Sequence, residues 1–465
     1  MIQTIFVGRF WRYHPAVGLG STLRRCRSPV ALGLLGVLLA LPAPSGAVGA
    51  SAGALDSGFG QGGKVLVAPP ADAGEWPGAQ AIQPDGKIVV AGTAAPARNG
   101  YAVLLLRLLP DGRPDPSFGT GGRVWTDLVT LDTPLKGAVV GDVALGSSSA
   151  TSVAIAPDGR IVVGGATQSG ATTAFAVLRY LPDGRPDESF GSGGLTVTDF
   201  DAGTNDGIAA LSVLPDGRIL AAGAAGDAAA LARYRPDGEL DPTFGPEKNG
   251  LVTVRDRGLL NALSLGAEPG GKLLVAGQAG TPGGPFDFGL ARFSGDGVLD
   301  DSFGDRGLVE TDLGSTGEWA AGVASGSGGT VIAGGASGSS FAVVRYLGGG
   351  KLDKAFGAGG ISKAGPDLGG GHALLQLPDG RLLLVGERLV GDTREVTVAR
   401  YQPDGAVDTA FGNGGAVGTD VTPVHDDGVA ANLYPGGRLV VAGTALDAEN
   451  THPRVILVRY TAVDR

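Results

Sequence analysis

The sequence predicts an all-β fold: a seven-bladed β-propeller of four-stranded antiparallel blades, closed by an N-terminal strand that completes the last blade. Three observations carry this prediction. A phenylalanine in an FG turn recurs at Phe59, Phe118, Phe190, Phe244, Phe303, Phe356 and Phe411, about every 59 residues, a fixed period of the kind that marks repeat architectures. An arginine ending an apolar run also recurs seven times, at Arg107, Arg179, Arg233, Arg292, Arg345, Arg400 and Arg459. The two series are out of phase at the chain ends: residues 55–67 hold only a turn and one strand-like run, and the last copy stops at Arg459-Tyr460. If the first run pairs with the last copy, no half-finished sheet is left at the seam, and closure is how propellers limit exposed edges.

Each element of the unit follows from its residues. In the copy ALSVLPDGRILAAGAAGDAAALARYRPDGELDPTFG, residues 210–245, apolar runs flank Pro215-Asp216-Gly217. Proline presets φ, aspartate bonds the backbone two residues on, and glycine takes positive φ, so the tripeptide predicts a tight hairpin turn. A third run covers 229–234, and a second turn, Pro236-Asp237-Gly238, leads through Leu240 to Gly245 into a fourth run at 251–254. Runs such as Ile88-Val89-Val90-Ala91 are apolar on both alternating sets, which implies strands covered on both faces. Neighbouring blades supply that cover. Strands of about five residues, the modal length, are expected.

Ahead of the repeats, Arg24-Arg25-Cys26-Arg27 precedes an apolar run from Val30 to Leu41 and then Pro42-Ala43-Pro44-Ser45-Gly46-Ala47. Charged, apolar and small-residue segments in this order predict a Sec-type signal peptide over residues 1–50, cleaved near 47–52. The apolar run is too short to span a bilayer. The expected destination is the periplasm, cell envelope or exterior, and the expected mature domain is a single propeller over residues 55–460. Cys26 is the only cysteine and lies in the leader, which leaves no disulfide or thiolate metal site in the mature chain.

The 84 glycines sit largely at turn positions between apolar runs and punctuate a folded unit. The formal charge is −10, and the first 50 residues carry five arginines and no acid, so the mature chain carries −15. That balance opposes binding to nucleic acid or anionic lipid. Cations, sugars and proteins stay open as partners, with a monomer expected.

The recurring PDGKIVVAG, the third run ending in RY and the PDGxLDxxFGxGG turn resemble the bacterial delta-60 repeat family. The resemblance spans nearly the whole mature chain and implies a β-propeller of an exported protein; it implies no activity. Copies four and five depart from it, with Pro269-Gly270-Gly271 and Ser327-Gly328-Gly329 at the first turn and Gly348-Gly349-Gly350 at the second, which puts the local turn geometry in question.

Motifs with chemical meaning are few. Residues 58–63 fit GxGxxG, but a strand-like run follows where a dinucleotide site needs a helix. The PDG aspartates are expected to support turns, and the repeated arginines to bond loops or pair with the aspartates of the LDxxFG turns. His372, His425 and His452 lie at unlike repeat positions, and no GxSxG elbow or HExxH helix accompanies them. Trp76 and Trp319 share one repeat position, each after an acid, and would pack the start of a blade or offer an aromatic platform. Nine residues before the turn proline or its equivalent stand Glu75, Asp206, Glu318 and Asp426, flanked by Asn205, His425 and Asp427.

If the first strands line the channel, these oxygens would ring its mouth, where a hard-ligand array suits Ca²⁺ or a hydroxyl-rich ligand. The variable loops, including 126–149, 277–287 and 387–395, fall on the same face, and loops on a rigid scaffold carry binding residues disproportionately. The expected function is therefore a non-enzymatic exported binding or scaffold module for a glycan, peptide or protein of the envelope or exterior. The alternative is an extracellular hydrolase or lyase using carboxylates at the mouth.

Overall fold

The computed structural model describes residues 52–465 except 71–72, 96–99, 129–144, 202, 256–257, 282, 366–367 and 447–451. The expected signal peptide, Cys26 and much of the 126–149 insertion lie outside the described residues. Among those described, seven four-stranded antiparallel sheets form a ring of blades. Blades 1 to 6 run from first strand to fourth as Gly74–Ile82 to Arg123–Thr126, Leu145–Ile155 to Leu195–Thr198, Asp206–Val213 to Leu251–Val254, Leu259–Ala267 to Leu308–Thr311, Glu318–Ser325 to Ile361–Ala364, and Leu368–Gln376 to Ala416–Thr419. Blade 7 takes Asp426–Tyr434, Arg438–Ala445 and Arg454–Tyr460 from the C-terminal end and Lys64–Leu66 from the other end of the chain. Lys64 pairs with Val458 and Leu66 with Ile456, so the ring closes as the phase offset predicts.

Seven hydrophobic clusters fill the ring, one per seam between neighbouring blades. Val89, Val103 and Phe118 of blade 1 pack on Ile161, Val163 and Tyr180 of blade 2 in one of them, and the closing seam joins Phe59, Val440 and Leu457 of blade 7 to Ile88 and Leu104 of blade 1. A blade buries its faces only against its neighbours, which is why strands two and three are apolar on both sides. Consecutive first strands touch all the way round, so they are the innermost and line the central channel.

One irregularity repeats seven times. Every first strand bulges at one equivalent position, namely Gly78, Thr151, Ala209, Leu263, Ala321, His372 and Val429, and those of blades 2, 4 and 6 shift register a second time nearer their start. The carbonyl two residues before the bulge is pushed onto the second strand at Gly92, Gly165, Gly223, Gly277, Gly335, Gly386 and Gly443, where an added Cβ would stand 1.8 to 2.2 Å from that oxygen. This close approach, rather than a turn, accounts for the recurring glycine of the second strand.

The PDG turns form as expected. Lys87, Arg160, Arg218 and Arg381 each donate a backbone N–H to the turn aspartate two residues earlier, at 3.0 to 3.1 Å. Pro269-Gly270-Gly271 keeps the same backbone bonds, Glu268 N–H to Lys272 C=O at 2.8 Å and Gly271 N–H to Glu268 C=O at 3.1 Å. Ser327–Gly329 forms a 3₁₀ turn within the equivalent bond, Gly326 N–H to Thr330 C=O at 2.7 Å. Strand lengths differ from the sequence expectation: blade 3 has strands of 8, 7, 7 and 4 residues. Its first strand begins at Asp206, not at Ala210, because the bulge carries the pairing on past Ala210 to Asp206.

The recurrent arginine joins each blade to the next. Its Nε donates to the LDxxFG aspartate of its own blade at 2.6 to 2.8 Å in all seven copies, Arg107–Asp115 through Arg459–Asp56. The guanidinium lies 4.4 to 4.7 Å from the centroid of the FG-turn phenylalanine, a cation–π arrangement. Its Nη1 then reaches a carbonyl of the next blade: Pro182, Pro236, Gly295, Gly348 and Pro403 in turn, and Pro110 across the closure. For Arg400 the acceptors are Val463 and Arg465, so the C-terminal residues stand in for the turn that blade 7 lacks. Burial drives Asp115, Asp187 and Asp241 upward, but hydrogen bonds from Ser117, Ser189 and Thr243 and the adjoining guanidinium charges outweigh it and hold them at about 2.

A second seam contact involves the residue after the arginine. Tyr180, Tyr234, Tyr346 and Tyr460 bond Thr126, Thr198, Thr311 and Thr419 at the end of the preceding blade's fourth strand, at 2.7 to 2.9 Å. Where the hydroxyl is missing on one side it is missing on both: Phe293 shares a cluster with Val254, and Leu108 with Val67. The exception is Tyr401, which faces a strand ending in Ala364 and whose buried hydroxyl has no partner among the described residues.

Candidate functional site

The upper rim of the ring carries the connectors into the first strands and the hairpin loops between strands two and three. Glu75, Asp206, Glu318 and Asp426 all lie there, one per blade, at 0 or 1% exposure. Each holds protein groups rather than facing the channel mouth. Glu75 accepts from Arg123 Nε at 2.7 Å and Trp125 Nε1 at 3.1 Å. Asp206 accepts from Phe200 N–H at 2.9 Å and Thr204 Oγ1 at 2.7 Å. Glu318 takes the N–H groups of Leu313 and Ser315 at 2.7 and 2.8 Å and the hydroxyl of Ser337 at 2.9 Å. Asp426 takes the N–H groups of Val421 and Thr422 at 2.6 and 2.8 Å.

Burial pushes the carboxyls of Asp206 and Asp426 up, against the pull of those bonds. Three of the acids thus fold the connector that leads into their own strand, and Glu75 anchors the outer strand of its blade. The open ring of free oxygens expected from the sequence is corrected on this point. A carboxylate at a strand start can satisfy loose backbone N–H groups more closely than it can reach across a channel.

Glu318 is the one of the four acids that belongs to a group of three. Asp287, Asp312 and Glu318 offer ligand atoms within 4.8 Å of one another, the one such group among the described residues. Burial first, then a hydrogen bond with Glu310 and the charges of Asp312, Glu310 and Glu318, push Asp287 up to about 6. A hard cation such as Ca²⁺ takes six to eight oxygens, and both oxygens of Glu318 already accept from the protein.

The flanking residues are structural neighbours of these acids. Asn205 Oδ1 accepts from Thr173 N–H at 3.2 Å and ties down the hairpin of blade 2. His425 gives its carbonyl to Leu446 N–H at 3.0 Å, and Asp427 lies 3.5 Å from Arg394 Nη1. Trp76, Trp319 and Asp427 occupy one register in blades 1, 5 and 7, the carbonyl that meets the second-strand glycine. They mark equivalent points of the rim and do not touch one another.

The two tryptophans sit in different surroundings. Trp76 is half-buried and meets Tyr101 edge-on at 6.1 Å between centroids and 73° between planes, and Tyr101 is 42% exposed. Trp319 lies nearly parallel to the imidazole of His372, at 6.5 Å and 11°, and its Nε1 donates to Gly371 C=O at 3.3 Å. His372 in turn bonds Glu387 at 2.5 Å. Sequence reasoning set His372 aside as one of three histidines at unlike repeat positions and missed Tyr101 and Glu387. Comparison of the copies carries a signal for the last: the residue after the second-strand glycine is Thr93, Ala166, Ala224, Gln278, Ala336 and Thr444 elsewhere, and an acid only at Glu387.

Two hollows lie apart from the tryptophans. One of about 200 Å³ is lined by Leu259, Ala279, Leu290 and Glu310 of blade 4. The other, about 450 Å³, opens between Ser362 and Asp404 on the lower outer side of blades 5 and 6. No helix among the described residues is long and apolar enough to cross a membrane.

A family model described as a beta-propeller domain of unknown function, DUF5122, matches residues 83–118, 156–190, 214–244, 269–303 and 377–411. No match to a curated protein was found. Among solved structures, a protein of unknown function from Dyadobacter fermentans is 14% identical with a TM-score of 0.45, over 86% of this chain and 98% of that one. A streptogramin B lyase is 12% identical with a TM-score of 0.44, over 84% and 96%. Sqt1 of Chaetomium thermophilum is 11% identical with a TM-score of 0.44, over 84% and 96%. The seven sheets and the matched repeats together make this chain a β-propeller repeat protein.

Proposed function

We propose that the protein is an exported, non-enzymatic binding module of the delta-60 repeat type. It would present the upper rim of a monomeric ring to a glycan, peptide or protein of the envelope or exterior. The observation that carries this reading is the Trp76–Tyr101 pair. An aromatic residue 42% exposed, set edge-on against a tryptophan held by an inner strand, offers a rigid apolar face with polar edges. Export rests on the order of charged, apolar and small residues in the first 50 positions. The hydrolase or lyase reading needs a carboxylate with an oxygen open to substrate, and the four acids proposed for it spend theirs on Arg123, Phe200, Leu313 and Val421.

The test is an array of envelope polysaccharides, peptides and exported proteins probed with the protein and with Trp76→Ala/Tyr101→Ala, with and without Ca²⁺. The expected result is a ligand retained by the parent and lost by the double variant while the thermal midpoint moves little. A ligand bound equally by both would place the site elsewhere on the ring. Turnover of any arrayed ester or glycan by the parent would overturn the non-enzymatic reading.

A further inference from the structure

Blade 6 departs from the other six at one register. The bulged residue of its first strand is His372, where the other blades carry Gly, Thr, Ala, Leu, Ala and Val. Gly369 stands where Glu75, Asp206, Glu318 and Asp426 stand in their blades, and the carboxylate arrives from the second strand instead, as Glu387. A Cβ on Gly369 would meet Glu387 Oε1 at 3.3 Å, and one on Gly370 would meet the imidazole at 2.4 Å; the glycines make room for the pair. Glu387 Oε1 accepts from Gly370 N–H at 3.0 Å, and Oε2 bonds His372 Nε2 at 2.5 Å. The two side chains are 6 and 5% exposed. His372 Nδ1 is buried and has no partner among the described residues.

The charged and titratable groups on the elements packed against this strand are otherwise engaged. Glu318 holds the connector of blade 5, Arg388 pairs with Glu395, Asp426 holds the connector of blade 7, and Asp427 lies by Arg394. Arg345 pairs with Asp353 and Tyr346 bonds Thr311. Glu387 is the carboxylate left to the imidazole.

We propose that the His372–Glu387 pair is a proton-operated latch on Trp319. With the imidazole neutral, Nε2–H donates to Glu387, and Nδ1 keeps a lone pair in a dry site beside the indole. A proton taken from solvent onto Nδ1 makes it a donor with no acceptor, a state a buried site does not tolerate. The ring then swings toward channel water, a movement that the Gly369-Gly370-Gly371 run permits, and Trp319 loses both its stacking partner and its bond to Gly371. Histidine suits this role because its charge changes between about pH 5 and pH 8. The latch is a property of the unliganded protein and stands apart from the binding reading above.

The experiment is a titration of tryptophan emission and acrylamide quenching on the full chain from about pH 8 to about pH 5, the range in which histidine charges. Trp319→Phe, His372→Gln, Glu387→Gln and Asp287→Asn are followed in parallel, with circular dichroism to confirm that each is folded. The parent is expected to show a one-proton transition with greater quenching on the acid side, absent from Trp319→Phe and His372→Gln. Glu387→Gln should move its midpoint down by about one pH unit, because the anion that favours imidazolium is gone. Asp287 titrates in the same range, and Asp287→Asn should leave the transition in place. A flat trace in the parent, a transition that survives Trp319→Phe or His372→Gln, or one abolished by Asp287→Asn would overturn the latch. If His372→Gln fails to fold, the parent and Trp319→Phe still decide it, since the latch requires the acid-side rise in quenching to come from Trp319.

Discussion

The two rims of the ring follow opposite rules. On the lower rim one arrangement of arginine, aspartate and phenylalanine is repeated at every seam, with distances that agree to a few tenths of an ångström. On the upper rim the anchors differ from blade to blade: an acid at the strand start holds the connector in blades 3, 5 and 7, and an acid borrowed from the second strand holds the first strand itself in blade 6. In blade 2, Ser148 of the first strand bonds Thr167 of the second at 3.1 Å. The even rim joins every blade to the next, whereas each upper-rim acid holds groups of its own blade or of the connector into it. Damage to the lower rim should therefore be global and damage to the upper rim local.

The largest effect is expected from deleting residues 52–67. This removes the fourth strand of blade 7, the Asp56 partner of Arg459 and the ring of Phe59 beneath it. The protein should lose its monomeric elution and aggregate through the bared edge of the third strand. A monomer with an unchanged thermal midpoint would place the closure elsewhere.

Arg400→Ala comes next. The guanidinium is 2% exposed, and its loss strands the carboxylate of Asp408 and the carbonyls of Val463 and Arg465. Breaking a buried pair from one side costs about 3–5 kcal/mol, to be read from denaturant midpoints. A loss similar to that of an exposed pair such as Arg113–Asp111 would show that the clasp is ornamental.

Ala364→Thr tests the seam in the opposite sense. It supplies Tyr401 with the hydroxyl that Thr126, Thr198, Thr311 and Thr419 give their tyrosines, and a satisfied buried bond should add about 1 kcal/mol. The gain should vanish in a Tyr401→Phe background.

The smallest effect lies on the upper rim at Asp287. Its carboxyl is raised from the ordinary 3.8 to about 6, so the folded state holds a proton that the unfolded chain releases earlier. The stability tied to that proton is present below about pH 4 and is lost as pH rises through about 6. Asp287→Asn should flatten this part of the stability profile. An identical profile would remove the acidic group from the account of the upper rim.

The fold was legible because its signals are local and recur. A PDG turn needs only three residues in sequence, and seven copies of Phe and Arg fix both the number of blades and the closure. The roles of the repeated arginines were legible in kind, as partners of the LDxxFG aspartates, but not in reach. That Arg107 extends to Pro182, 75 positions on, depends on the packing of neighbouring blades. The upper rim was less legible. Glu75 and Asp426 were found by position, but the direction in which a carboxylate points depends on which N–H groups its connector leaves open. Tyr101 meets Trp76 through the pairing of strands within blade 1, and His372 meets Trp319 through the packing of blade 6 on blade 5.

The threonine–tyrosine contacts carry a consequence for how such a chain can change. Each pair is split between two successive copies, and the apolar pairs Val254–Phe293 and Val67–Leu108 are split in the same way. A blade moved or duplicated whole brings half of one pair and half of another, and it orphans a hydroxyl wherever it lands beside a valine or an alanine. Blade 6 beside Ala364 is in that condition. The unit that can be exchanged without penalty is therefore the interface, running from the fourth strand of one copy to the third of the next, and a recombination cut made inside a blade disturbs the ring less than one made between blades.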